Sequence, residues 1–359
     1  MTENELKDFS IYEIVQDFKS ILDCLQTCVF NNVGAAIFQG FNPYLCSFVY
    51  SGYEYLEKQK MILVSSDNSF KKMVSKSRSK FLKQYASFNQ STYKSLNNFN
   101  KKEYYKFFYK TYPNKKPYLT RDISNYYIAS INDKPIDNYH LSSGILGCEI
   151  GSYIDDITPQ VQSFIYQMIS FIGQILSAAH ICVESKTQKV MFDEVKYADI
   201  NLAYKYTNFG IQDNPPLLMA FMDILCTVNS YNEIFVNVNV RKGLDLKVKY
   251  LVLFESIQGI KKIFEFCTAS KINLNVDEAF CEFIALTDKS YCKNLLRRYC
   301  AHYGYKETEW KNNPVVEAFE KHFNKPIDDI NSDLSEKLWK LGDYLNKFVI
   351  RVPFASRLD

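Results

Sequence analysis

Histidine, glycine and proline are the scarce residues of this chain, and each scarcity excludes something. Only His140, His180, His302 and His322 are present, and the ten cysteines contain no Cys-x-x-Cys pair and no regular spacing. Cys24 and Cys28 stand at i, i+4, but no metal quartet is evident, so a zinc module is not expected. The cysteines read instead as reduced thiols of a cytoplasmic protein. Gly 12 and Pro 10 in 359 residues supply few breakers, which favours helices over a turn-rich β architecture. The first residues, Met-Thr-Glu-Asn-Glu-Leu-Lys-Asp, are acidic and polar and do not form a secretory signal.

Charge is unevenly spread. The chain carries +3 overall, yet residues 71–121 hold fourteen lysines and arginines against one acid, Glu103, which leaves the remainder net acidic. Tyr104, Tyr105, Phe107, Phe108 and Tyr109 interleave with Lys101, Lys102, Lys106 and Lys110 in that window. Lysines neutralise phosphates and aromatic faces stack on unpaired bases, a combination suited to single-stranded nucleic acid. The same pattern also fits a solvated helix face over an aromatic core, or a surface that meets an acidic one elsewhere.

Helical periodicity spans 4–30, where Phe9, Ile11, Ile14, Val15, Phe18, Ile21 and Leu25 recur every three to four residues. Glycine-punctuated 33–55 reads as a turn between buried segments, and 70–88 as a second helix. Tyr126–Ile131 followed by Asn-Asp-Lys-Pro and Ile136 reads as a hairpin. Residues 157–183 lack any charge, while Gln160, Ser163, Gln167, Ser170, Gln174 and Ser177 draw a thin polar seam. The expectation is a buried central helix carrying a core His180. A helix paired with its own copy and a membrane span are the alternatives. Residues 184–206 show no clear pattern.

Asn208 to Pro216, with Gly210, Pro215 and Pro216, reads as the linker between an N-terminal domain (1–207) and a C-terminal helical bundle (216–350). Four helical stretches follow it. They cover 216–230, 244–268, 276–304 (broken near Asp288) and 314–350 (starting at Pro314, broken near Pro326). The fold class is therefore mainly α with a small β element, the second part a bundle of four to five helices. Leu244–Ile263 reads as its long amphipathic member.

The motif that says most about function is Leu295-Leu296-Arg297-Arg298-Tyr299-Cys300-Ala301-His302-Tyr303-Gly304. It reads as a helix stopped by Gly304, with Leu295, Leu296, Tyr299, Cys300 and Tyr303 on one buried stripe. This run resembles the signature of HEPN domains, an arginine and a polar residue followed within four to six residues by histidine. Arg298 stands where the family usually has Asn, Asp or His. The resemblance covers roughly 216–350.

It implies a metal-independent endoribonuclease, needing no cofactor, that acts on RNA as a toxin or antiviral effector. It also implies pairing as a homodimer through the bundle, with an antitoxin or sensor as a further partner. RNA supplies its own nucleophile, the 2′-hydroxyl. The protein needs a proton donor or acceptor, which His302 can be near neutral pH, and a cation for the phosphoryl oxygens. The family pattern assigns that cation to Arg297, and the assignment here follows the family. On an ideal helix, however, Arg298 is the residue that shares a face with His302, and it stands as the close second candidate. A non-catalytic RNA-binding module and a scaffold for protein partners are the competing uses of the same bundle.

Overall fold

The computed structural model describes residues 1–34, 37, 40–62, 126–138, 154–181, 187–200, 215–305 and 310–350. The basic window 71–121 lies outside them, and so do the expected nucleic-acid contacts Lys101, Lys102, Lys106, Tyr104 and Tyr105. Among the described residues helix predominates.

The first helix, α1 (Glu3–Phe30), opens on a capping box. The Thr2 hydroxyl accepts from the Glu5 N–H, and the Glu5 carboxylate accepts from the Thr2 N–H. Ile14, Phe18, Ile21 and Leu25 are fully buried, each side chain contributing about 1.5–3 kcal/mol on burial. Glu13 and Asp17 are buried on the same helix, a feature its apolar periodicity does not suggest. A second helix, α2 (Asn42–Lys58), takes the place of the turn expected within 33–55. Pro43 lies in its first turn, where a missing N–H leaves no helical bond unmade.

The hairpin is as predicted. Strands β1 (Tyr126–Ile131) and β2 (Lys134–Asn138) pair antiparallel across Asn132-Asp133, whose φ values of 50° and 62° are those of a tight hairpin turn. A third strand, β3 (Lys196–Ile200), lies in the stretch whose sequence gave no pattern, and it pairs with the other edge of β1. Helix α3 (Ile154–Ala178) precedes it.

Among the described residues six α-helices follow: α4 (Pro215–Glu233), α5 (Lys242–Ala269), α6 (Glu278–Tyr291), α7 (Asn294–Ala301), α8 (Pro314–Phe323) and α9 (Ile327–Val349). The break expected near Asp288 falls four residues later, at Cys292–Lys293, and the one expected near Pro326 occurs at Asn324–Pro326. Asn313 caps α8 through the Val315 and Val316 N–H groups, and Pro314 occupies its first turn. The hairpin lies on α4, where Asn229 donates to the Pro135 carbonyl at 2.9 Å and Lys134 pairs with Glu233 at 2.6 Å.

Two helices exchange their expected places. The central one is α5, buried without interruption from Leu246 to Ile257 and packed against α4, α6, α7 and α9, with lighter contacts to α1 and α2. Its charges made it look amphipathic, but Lys247, Lys249 and Glu255 are all buried against partners. Helix α3, which carries the charge-free stretch from residue 157 onward, is instead half-buried. Phe164, Ile165, Met168, Ile172 and Ile175 are buried, and the helix packs on α1. The seam residues Ser163, Gln167, Ser170, Gln174 and Ser177 are exposed. His180 is no core histidine either; it is exposed beyond the end of α3 with φ 57°. Among the described residues no helix is long and apolar enough to cross a membrane.

One hydrophobic core joins residues from before and after the expected boundary at 208–216, including Phe18, Ile128, Phe221 and Val252. The two portions of the chain are thus packed together rather than side by side.

Candidate functional site

The motif forms α7, a helix of eight residues that docks on α5. No side chain of its N-cap residue Lys293 caps it. The buried Tyr250 of α5 does so instead: its hydroxyl accepts the Lys293 N–H at 3.0 Å and lies 2.9 Å from the Tyr291 carbonyl. Leu296, Tyr299 and Cys300 are buried as predicted, whereas Leu295 is 51% exposed.

Arg297 turns toward α5. Its Nε donates to Glu255 Oε1 at 2.6 Å, and its guanidinium lies over the Phe254 ring. Glu255 is 1% exposed, and burial, only partly offset by Arg297, lifts its carboxyl above the usual range. Arg297 therefore holds α7 to the central helix. Arg298 is exposed, its guanidinium 5.6 Å from the centre of the Tyr299 ring.

His302 does not continue the helix. Its N–H closes the last turn on the Arg298 carbonyl at 3.2 Å, but its backbone is extended, with φ −135° and ψ 149°. The expected shared helical face of Arg298 and His302 therefore ends one residue early. The cause lies in the residues that follow. His302 is exposed, Tyr303 and Tyr305 are buried, and Gly304 between the tyrosines is intermediate, the alternation of an extended segment. Gly304 has φ +84°, and a Cβ there would come 2.7 Å from the Tyr55 ring of α2. The predicted glycine stop is present, but three residues after Ala301, the last residue of the helix.

Tyr303 leads into a buried cluster that the motif did not foretell. Its hydroxyl donates to Asp17 Oδ2 at 2.8 Å. Asp17 also accepts from Lys247 Nζ at 2.7 Å and from Arg241 Nη2 at 2.7 Å. Glu13 takes two further bonds from Arg241, at 2.8 and 2.7 Å, and one from Lys247 at 3.3 Å. Two carboxylates face two cations, so the cluster is formally neutral. Asp17, Glu13 and Lys247 are at most 2% exposed. Burial alone would raise the Asp17 carboxyl, but Lys247 and Arg241 more than offset it and hold it below its ordinary value. Burial and the Asp17 carboxylate push the Tyr303 phenol well up, which keeps it a proton-bearing donor. The sequence carried one clue, namely charges set into apolar stripes: Asp17 beside Phe18, and Lys247 between Leu246 and Val248.

Two grooves lie apart from the motif. One of about 540 Å³ runs between α6 and α9, lined by Phe283, Leu286, Tyr291, Lys337 and Tyr344. The other, of about 370 Å³, is lined by Leu274, Phe280, Lys347 and Phe348. Among the described residues no group of three His, Cys, Asp or Glu side chains could hold a metal ion. Compared with protein-family models, curated proteins and solved structures, the chain matches none.

Proposed function

We propose that the protein is a HEPN-type endoribonuclease that cleaves RNA without a metal, acting as a toxin or antiviral effector. The observation that carries the reading is the presentation of His302. It is an exposed imidazole at the end of α7, held between two buried residues and one turn after an exposed arginine.

In the proposed reaction the substrate's 2′-oxygen bonds to phosphorus and its proton leaves to water. The bond from phosphorus to the 5′-oxygen breaks, and His302 supplies the proton that this oxygen takes up. Arg298 neutralises the phosphoryl oxygens. Arg297, occupied by Glu255, holds the helix in place. The products are a 2′,3′-cyclic phosphate and a 5′-hydroxyl.

The test is cleavage of RNA in EDTA with analysis of the ends. His302→Ala is expected to slow cleavage about 10²–10⁴-fold, and Arg298→Ala about 10²–10³-fold. A His302→Ala protein as active as its parent refutes the assignment. A binding-only role is the second reading, favoured by the lysine–aromatic window. Reversing Lys101, Lys102 and Lys106 to Glu should then weaken RNA binding and flatten its salt dependence. In that case the purified protein leaves RNA intact.

A further inference from the structure

The loop that carries His302 is clasped by the N-terminal helix at several points. Tyr303 is hydrogen-bonded to Asp17 of α1, and its ring lies 5.0 Å below Lys247 Nζ. Tyr305 packs against Phe9 of α1 with ring centres 6.0 Å apart, and it stacks on Tyr299 of α7. The Met1 amino group donates to the Trp310 carbonyl at 2.9 Å. Gly304, between the two tyrosines, has no room for a side chain beside Tyr55. Exposed His302 thus issues from a backbone whose next residues are pinned to a helix nearly 300 positions earlier in the sequence.

We propose that Asp17, acting through Tyr303, is a positioning residue for His302, so that α1 is a structural part of the site on α7. Asp17 touches no substrate in this scheme. It fixes the Tyr303 phenol by a bond between a donor and a carboxylate that is itself locked by two cations. A charge-assisted bond of this kind is stronger and more directional than one between neutral groups. Extended backbone then joins that anchor directly to His302, whose neighbours on both sides, Ala301 and Tyr303, are buried. The inference rests on the reading of His302 as the proton donor, but its structural part can be measured without any activity.

Tyr303→Phe removes the hydroxyl and keeps the ring. The fold should survive, because Asp17 retains both Lys247 and Arg241. Tyr305→Phe is the matched control: the Tyr305 hydroxyl is buried without a hydrogen-bond partner among the described residues, so its loss should disturb nothing. With only four histidines in the chain, isotope-labelled imidazoles give a readable spectrum, and His302→Gln identifies the relevant signal.

The expected result is that Tyr303→Phe shifts or broadens the His302 signal and moves its titration midpoint. It should also lower kcat roughly tenfold with KM within about twofold, the pattern of a displaced catalytic group. Tyr305→Phe should match the parent in every respect. If Tyr303→Phe leaves the His302 signal and its titration as in the parent, or if Tyr305→Phe moves them equally, the positioning role is overturned. A parent protein that cuts no RNA removes the catalytic reading of His302 but leaves the spectroscopic result to decide whether Asp17 and Tyr303 hold it.

Discussion

Replacing Lys247 with Met tests the buried charge cluster directly. Methionine keeps most of the aliphatic stem's volume, so the change is chiefly the loss of one cation. Glu13 and Asp17 would then face Arg241 alone, leaving one buried negative charge uncompensated where the carboxylates are at most 2% exposed. Breaking a buried pair in this way costs about 3–5 kcal/mol, against a total stability on the order of 5–15 kcal/mol. Urea titrations at pH 7 should show a lower midpoint with an unchanged slope.

The effect should also depend on pH with a definite sign. In the parent, Asp17 titrates below its ordinary value. Its contribution is therefore complete above about pH 4 and is lost only as pH falls through the folded pKa. In the variant, burial is no longer opposed by Lys247, so the carboxyl rises above its unfolded value and the folded state gains on acidification. The gap between the two proteins should narrow from about pH 7 to about pH 4.5. Adding Asp17→Asn to the variant restores neutrality and should recover part of the loss, a coupling of roughly 1–3 kcal/mol. A gap below about 1 kcal/mol at pH 7, or one that widens on acidification, would refute the account.

Three further outcomes are expected. Arg297→Ala should destabilise by about 1–3 kcal/mol, because Glu255 stays buried without its partner. That loss should shrink toward pH 5 as the raised Glu255 carboxyl protonates, and urea melts that show a constant loss would dissociate the pair. Gly304→Ala combines a positive φ with a 2.7 Å approach to Tyr55, so thermal melts should reveal a loss of about 1–3 kcal/mol; a loss under about 0.5 kcal/mol would mean that the loop adapts freely. Gln167→Lys on the exposed face of α3 should stay within about 0.5 kcal/mol of the parent, and a loss above about 2 kcal/mol would show that the face is covered.

What could be read along the chain was whatever local chemistry determines. The span of α1, the Asn132-Asp133 hairpin, the start of α8 at Pro314 and the break before Pro326 all follow from caps, breakers and periodicity within a few residues. The location of the centre did not. Assigning Lys247 and Glu255 to a buried helix requires their partners, and those lie 230 and 42 residues away. Conversely, the lack of charged residues in α3 after Asp156 does not mark it as buried, because glutamine and serine hydrate well enough to form an outer face. The site was legible as a set of residues but not as a geometry. Helical spacing pairs Arg298 with His302, whereas the chain leaves the helix at His302 because Tyr303 must reach Asp17. That requirement is invisible within the motif.

The separation of 286 residues between Asp17 and Tyr303 also has a meaning in time. At about 5–20 residues per second of synthesis, the N-terminal helix exists for roughly 15–60 s before the loop that completes its environment has been made. For most of that interval Arg241 and Lys247 have not been made either, and burying Glu13 and Asp17 early would strand two carboxylates without cations. The same charges that hold the finished molecule together thus discourage α1 from collapsing onto whatever emerges first. Nascent chains halted before Arg241 should accordingly remain open and protease-sensitive along α1, and those extended past residue 310 should not.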